Sequence, residues 1–248
     1  MSAPAAGPAA HDPRLAELRG ALAAVRQRID AAVAGAGRQA DPPQLIVVTK
    51  FHPAEDVARL AALGVTDVGE NRDQEAADKA ARLAELRLRW HFIGQLQSNK
   101  AKSVVRYAHV VHSVDRLPLV TALAKAVRTE QERTGRADLE CFIQVSLDDD
   151  ADGHRGGALP ADVPALAAEL AGSPGLKLAG VMAVAPLGAA PEAAFEKLAE
   201  ISARLRGEYP QASAISAGMS QDLEAAVRFG ATHLRIGSDI LGPRPALR

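Results

Sequence analysis

Apolar residues along this chain change period repeatedly, from runs that suit a strand to spacings that suit a helix. In "LIVVTKFH", Leu45, Ile46, Val47 and Val48 leave no polar face, the pattern of a parallel strand covered on both sides. Ahead of it, Asp12 and Pro13 predict a helix start, because aspartate accepts from free N–H groups and proline suits the first turn. That helix runs to about Val33 and stops in "AGAGRQADPP". The first strand, 44–50, leads through Pro53 into an Ala/Leu-rich helix ending near Gly64, then the short strand "TDVGE", a charged helix over 72–87 and the strand "RWHFIG". Ser98 is a candidate cap for the helix "SNKAKSVVRYA", which precedes the strand "HVVHSVD". Leu117, Val120, Leu123, Ala124 and Val127 mark a helix within 115–134, followed by the strand "LECFIQVSL". A loop at 148–160, the helix "DVPALAAELAG", the strand "LKLAGVMAV" and a helix over 191–207 come next. The strand "SAISAG", the helix "SQDLEAAVRFG" and the strand "THLRIGS" complete the series.

Eight strands, each but the last clearly followed by a helix, in 248 residues predict a single (β/α)8 TIM barrel with an extra N-terminal helix. An open doubly wound sheet is the alternative fold, weakened because neither a Rossmann glycine fingerprint nor a Walker loop follows any strand. Residues 1–11, rich in Ala, Pro and Gly, read as a disordered tail before one domain at 12–248.

Charge is balanced, 29 Lys+Arg against 30 Asp+Glu, which argues against nucleic acid and anionic membrane as partners and leaves small-molecule chemistry. The single cysteine, Cys141, sits in an apolar run and reads as a buried inert thiol in a reducing cytoplasm. No basic leader and no long apolar span are seen, so a soluble protein is expected.

Active groups of a barrel gather at the C-terminal ends of its strands. Lys50 stands at such an end, where the structural alternative is simply an ammonium reaching solvent. Glu70 and Asn71 fall at the rim after strand two, His91 within strand three, and Arg235, Gly237 and Ser238 at the end of strand eight. The loops after strands seven and eight are the usual phosphate site of the fold. There Gly218 and Gly237 allow close backbone approach, and Ser216, Ser220 and Ser238 offer hydroxyls. Strands one and eight are neighbours in a closed barrel, so a lysine beside a phosphate cradle points to a phosphorylated carbonyl compound held as a Schiff base.

Taken in order, "VVTKFHP", "GENRDQEAADKA", "WHFIGQLQSNKAK", "HSVD", "GVMAV" and "SAGMSQDLEAAVRFGATHLRIGSDILG" resemble the pyridoxal phosphate homeostasis protein family over about residues 15–243. Its fold is that of the alanine racemase N-terminal barrel. The resemblance implies pyridoxal 5'-phosphate (PLP) held as an aldimine on Lys50, a phosphate site at Ser216, Met219, Ser220, Gly237 and Ser238, and Arg235 toward the pyridine nitrogen. It also brings Asn71, His91 and Met182 near the ring, although His91 and Met182 also read as core residues. Beside the pyridine, an always-charged arginine would keep the ring nitrogen unprotonated and make it a poor electron sink, which suits a binder or a racemase better than an aminotransferase. The family implies a PLP carrier or regulator of vitamin B6 and amino-acid balance without established turnover; PLP-dependent apoenzymes are candidate recipients, and, with no second domain expected, a monomer is expected.

A PLP-dependent racemase is the second reading. It is weakened because racemisation needs an acid or base on each face, the racemase tyrosine comes from a second domain that the chain is not expected to carry, and Tyr107 and Tyr209 fall near helix ends. A Schiff-base aldolase of a phosphorylated sugar is third, and a scaffold role with no chromophore remains a further class. "DDDADG" opens like a calcium loop but has Leu159 where a bidentate glutamate belongs, so it reads as a solvated acidic loop. His52, His109 and His112 show no metal spacing, and Lys100, Lys102 and Arg106 read as a solvated helix face. Three departures from the family stand out: Arg72 in place of an aromatic, "IGQLQ" for "IGPLQ", and "IGSDILG" for "IGTAIFG". The last puts the Asp239 carboxylate beside an expected phosphate site, where it should repel the ligand unless it turns away.

Overall fold

Eight parallel strands close into a barrel in the order β1 to β8, so β1 pairs with β8 and no strand has a free edge. The structure, a computed structural model, describes residues 12–148, 156–186, 188 and 190–243. The expected tail at 1–11 and most of the acidic loop lie outside the described residues. The strands are β1 Gln44–Val48, β2 Asp67–Glu70, β3 Arg89–Phe92, β4 Val110–Val114, β5 Leu139–Gln144, β6 Leu176–Met182, β7 Ala214–Ser216 and β8 His233–Ile236. Around them lie α1 Pro13–Gly35, α2 Ala54–Ala62, α3 Asp73–Arg82, α4 Ala101–Val104, α5 Leu117–Thr134, α6 Val163–Gly172, α7 Pro191–Glu208, α8 Leu223–Arg228 and α9 Ser238–Leu241.

The start of α1 follows from its residues: the Asp12 carboxylate accepts from the N–H groups of Arg14 and Leu15, and Pro13 occupies the first turn. Leu18, Leu22, Val25, Ile29 and Val33 recur at helical spacing, and this stripe is buried where α1 packs on α2, α8 and α9. The extra helix therefore lies against the segments that follow β7 and β8.

Several expected bounds are corrected. The strand-one signal stops at Val48, which leaves Lys50 in the turn beyond the strand. The helix expected over 72–87 ends at Arg82, because Leu83 leaves helical geometry and the chain then turns toward β3. "SNKAKSVVRYA" forms one 3-10 turn, Ser98–Lys100, and the single α turn α4, and Ser98 makes no capping bond. Its hydroxyl instead accepts from Arg116 at 3.4 Å. After β8 the chain forms the short helix α9, which closes the eighth β/α unit.

Candidate functional site

Lys50 leaves the barrel rim from a braced turn. The N–H of His52 donates to Thr49 O at 3.1 Å, and between them Phe51 adopts φ 69°, a left-handed conformation that costs a side-chain-bearing residue about 1 kcal/mol. Glu75 Oε1 holds that conformation by accepting from the Phe51 N–H at 2.6 Å. The same oxygen accepts from Lys79 Nζ at 2.7 Å, and Lys79 also donates to Glu70 Oε1 at 2.7 Å and to Thr49 O at 2.9 Å. Thr49 Oγ1 completes the knot with a 2.6 Å bond to Glu70 Oε1. Burial pushes the Glu70 carboxyl above its ordinary range, against the pull of the Lys79 ammonium. On the outer side, the Arg72 guanidinium lies 4.8 Å from the centre of the Phe51 ring, so the residue that replaces an aromatic stacks on one.

Lys50 lines a cavity of about 500 Å³ with Val48 from β1, Ile93 after β3, the loop after β6, Met219 to Asp222 after β7, and Arg235, Gly237 and Ser238 at β8. The β7 and β8 segments have the form of an anion cradle. Gly218 has φ 91°, and a Cβ there would stand 2.7 Å from Ala226 Cβ and Leu234 Cδ2. A Cβ on Gly237 would stand 3.1 Å from Val48 O. Gly218 thus lets the β7 loop turn tightly against the core, and Gly237 lets the backbone run close to the cavity wall at Val48. Ser220 Oγ and Ser238 Oγ lie 3.3 Å apart at its edge, and the N–H groups of Ser238 and Asp239 fall in the first turn of α9, where no intrahelical carbonyl reaches them. Met219 N–H donates to Asp222 Oδ1 at 2.6 Å, which shapes the β7 loop.

Asp239 turns away from this cradle. Its Oδ2 pairs with Arg28 Nη1 of α1 at 2.8 Å, while the same guanidinium donates to Ser220 O at 3.0 Å and to Glu224 Oε1 at 2.9 Å. One arginine from the extra helix therefore ties both cradle loops together and neutralises the carboxylate that the sequence placed beside them. At the cavity floor, Arg235 donates from Nη1 to Ser216 Oγ at 2.6 Å and from Nη2 to Ala183 O at 2.9 Å. Burial lowers its pKa to about 10, which leaves it charged at neutral pH.

Six of the ten residues expected at the site line this cavity: Lys50, Met219, Ser220, Arg235, Gly237 and Ser238. Asn71, His91, Met182 and Ser216 fall outside the lining. Asn71 follows β2, with its Oδ1 buried and without a partner among the described residues. His91 lies in the barrel interior, bonded to Asp67 and His112 at 2.9 Å each. Met182 packs there with Val110, Phe142 and Ala179. The Ser216 hydroxyl is engaged by Arg235 and, at 2.9 Å, by His112. Sequence reasoning missed Arg28, Asp222 and the 184–191 wall. A turn signal for the last was present in Pro186, Gly188 and Pro191. A larger groove, about 850 Å³, lies outside the barrel against α3, lined by an alanine-rich face, Trp90 and Tyr107, with no lysine. Cys141 is fully buried, and burial pushes its thiol pKa well above the usual range.

Comparison with known proteins places this geometry among relatives. Residues 21–245 match the family model described as alanine racemase, N-terminal domain. The pyridoxal phosphate homeostasis protein of Mycobacterium tuberculosis is 44% identical over 254 aligned residues, covering 97% of this chain and 98% of the relative. The protein of the same name from Corynebacterium glutamicum is 43% identical and covers 89% and 99%. Among solved structures, PipY of Synechococcus elongatus PCC7942, with PLP bound, superimposes with a TM-score of 0.77 at 33% identity, covering 91% of this chain and 100% of PipY.

Proposed function

The chain belongs to the pyridoxal phosphate homeostasis protein family, built on the alanine racemase N-terminal domain, and from that membership we propose that it holds pyridoxal 5'-phosphate in the cavity at the C-terminal end of its barrel. The observation that carries the reading is that one cavity is lined at once by an amine, Lys50, by an anion cradle, Ser220, Gly237 and Ser238, and by a buried cation, Arg235. The cofactor when bound supplies an electrophilic aldehyde and a pyridine ring. Lys50 offers the amine that takes up the aldehyde. The two serines and the first-turn N–H groups of α9 hold the phosphate, and Gly237 admits it. Arg235, charged and donating only, leaves the ring nitrogen its lone pair and so withholds the electron sink that transamination requires.

Among the described residues that line the cavity there is no tyrosine or histidine, and the carboxylate there, Asp222, accepts from Met219 N–H, so a racemase is the weaker reading. Tyr107 donates to Asp73 outside the barrel, and Tyr209 ends α7. The protein serves vitamin B6 and amino-acid balance as a cytoplasmic monomer that passes PLP to dependent apoenzymes. No helix among the described residues is long and apolar enough to cross a membrane. The test is absorbance of the PLP-treated protein before and after borohydride, with mass spectrometry of the Lys50 peptide. A visible band removed by borohydride and a pyridoxyl group on Lys50, both lost in Lys50→Ala, are expected. A band that survives in Lys50→Ala would refute the assignment.

A further inference from the structure

Beneath the cavity, five buried side chains from five strands form one continuous row across the barrel interior. Arg235 Nη1 on β8 meets Ser216 Oγ on β7 at 2.6 Å, and Ser216 Oγ meets His112 Nδ1 on β4 at 2.9 Å. His112 Nε2 meets His91 Nδ1 on β3 at 2.9 Å, and His91 Nε2 meets Asp67 Oδ1 on β2 at 2.9 Å. None of the five is more than 5% exposed. No carboxylate among the described residues lies within ion-pair distance of the Arg235 guanidinium; Asp222, in the same cavity lining, is the negative charge that acts on it, and the hydrogen-bonded row ends at Asp67, four links away and itself 3.9 Å from Arg89 Nε.

The donor at each link follows from chemistry alone. A guanidinium only donates and a carboxylate only accepts. Burial depresses the pKa of both histidines, so each ring is neutral and carries one N–H. Burial works against the Asp67 carboxylate as well, but hydrogen bonds from His91, Thr66 and Gln44 outweigh it and hold its pKa at about 2. His91 must therefore donate from Nε2 to Asp67, which leaves its Nδ1 to accept from His112 Nε2. His112 Nδ1 then accepts from the Ser216 hydroxyl, whose oxygen accepts from Arg235. Every proton has one place, and the row points one way from Arg235 to Asp67. His112 is held flat against Phe142, ring centroids 4.5 Å apart at 7°, which fixes the ring plane that this order needs.

We propose that Asp67, His91 and His112 are positioning residues for Arg235: through a single ordered row they fix the Ser216 hydroxyl as an acceptor and so orient the guanidinium that faces the cofactor's ring nitrogen. A carboxylate beside Arg235 would capture the donors meant for the ring. A neutral hydroxyl, held as an acceptor by the row, orients the guanidinium and leaves its remaining donors to the ligand. Ser216 is the coupling between the row and the cavity floor. The inference deepens the PLP reading and rests on it for the ring nitrogen, while the row itself is a property of the protein alone.

The test uses the full chain with 15N-labelled histidine, free and after loading with PLP labelled at the ring nitrogen. In the PLP-free protein, long-range 1H–15N spectra are expected to show both His91 and His112 as neutral Nε2–H tautomers. In the loaded protein, Asp67→Asn, whose amide can donate to His91 and reverse the row, is expected to shift both imidazoles and, by loosening the guanidinium, to move the ring-nitrogen resonance downfield, while the pyridoxyl adduct on Lys50 remains. A purely structural Asp67 would lower the melting temperature and leave the ring nitrogen where it was, and that result overturns the proposal. So does a protonated or Nδ1–H form of either histidine, a reading that needs no variant and stands even if Asp67→Asn does not fold. Absence of any Lys50 adduct in wild type would instead sink the PLP reading, a failure separate from that of the histidine signals.

Discussion

Arg28→Ala separates the two tasks assigned to the extra helix, bracing the cradle and neutralising Asp239. The guanidinium side chain is 39% exposed, so each of its ion pairs contributes no more than about 1 kcal/mol after solvent screening. With the bond to Ser220 O, the loss in stability is expected to be about 2 kcal/mol, a fall of a few degrees in melting temperature. With Arg28 gone, the Asp239 carboxylate stands unneutralised at the first turn of α9. Facing a phosphate dianion roughly 8 Å away at aqueous permittivity, it repels the ligand by about 1 kcal/mol, which is about fivefold in Kd. Equilibrium titration with PLP at low and high salt reads this directly. Arg28→Ala should weaken binding about fivefold at low salt and less at high salt. Adding Asp239→Asn should restore affinity without restoring the melting temperature. Equal affinity in wild type and Arg28→Ala, or no recovery in the double variant, would refute the electrostatic argument and leave Arg28 a structural tie only.

Two other expectations follow from buried charges. Lys79→Met removes the cation shared by Glu70, Glu75 and Thr49 O. Stranding those acceptors should cost about 3–5 kcal/mol and loosen the Phe51 turn, so the variant should melt markedly lower and form the Lys50 adduct more slowly; an unchanged melting curve would refute the brace. Acid should weaken the fold through its buried imidazoles. Burial lowers His233 from 6.5 to about 4 and also lowers His91 and His112, so as pH falls the unfolded chain takes up these protons first and stability is lost from about 6.5 down through about 4. His233 alone accounts for about 3 kcal/mol of that loss. Asp67 extends it, because its depressed carboxyl gives stability that disappears as pH falls from 3.8 toward about 2. Chemical denaturation at a series of pH values measures this, and a flat profile between about pH 7 and about pH 5 would contradict the burial of these rings.

The barrel was legible because its strands are covered on both faces, so each announces itself as an apolar run punctuated by a helix of different period. Boundaries were less so. The alternation over 72–87 kept helical composition past Arg82, but the chain has to turn at Leu83 to reach β3, a demand of closure rather than of local preference. Lys50, Gly237 and Ser238 were legible for the opposite reason, since the fold fixes where strand ends converge whatever the residue. The direction of Asp239 was not, because its partner Arg28 lies 211 positions away on a helix whose apolar stripe shows that it packs but not on what.

The polar row in the barrel interior had no signature of its own. His91, His112 and Asp67 lie in three separate strand segments, and only closure makes neighbours of residues 24, 21 and 104 positions apart. A barrel of this kind fills its interior with layers of branched apolar side chains, and Val110, Phe142 and Met182 do so here. Replacing part of those layers with five hydrogen-bonding groups is costly unless every donor finds an acceptor. Along the row each link has one donor and one acceptor, because the row begins at a group that only donates and ends at one that only accepts. An apolar interior would have packed as well but would have left the Arg235 guanidinium without the Ser216 acceptor that orients it beneath the cavity. The composition of the barrel interior is thus dictated from the top of the barrel, by a cation that must stay charged and free on one side.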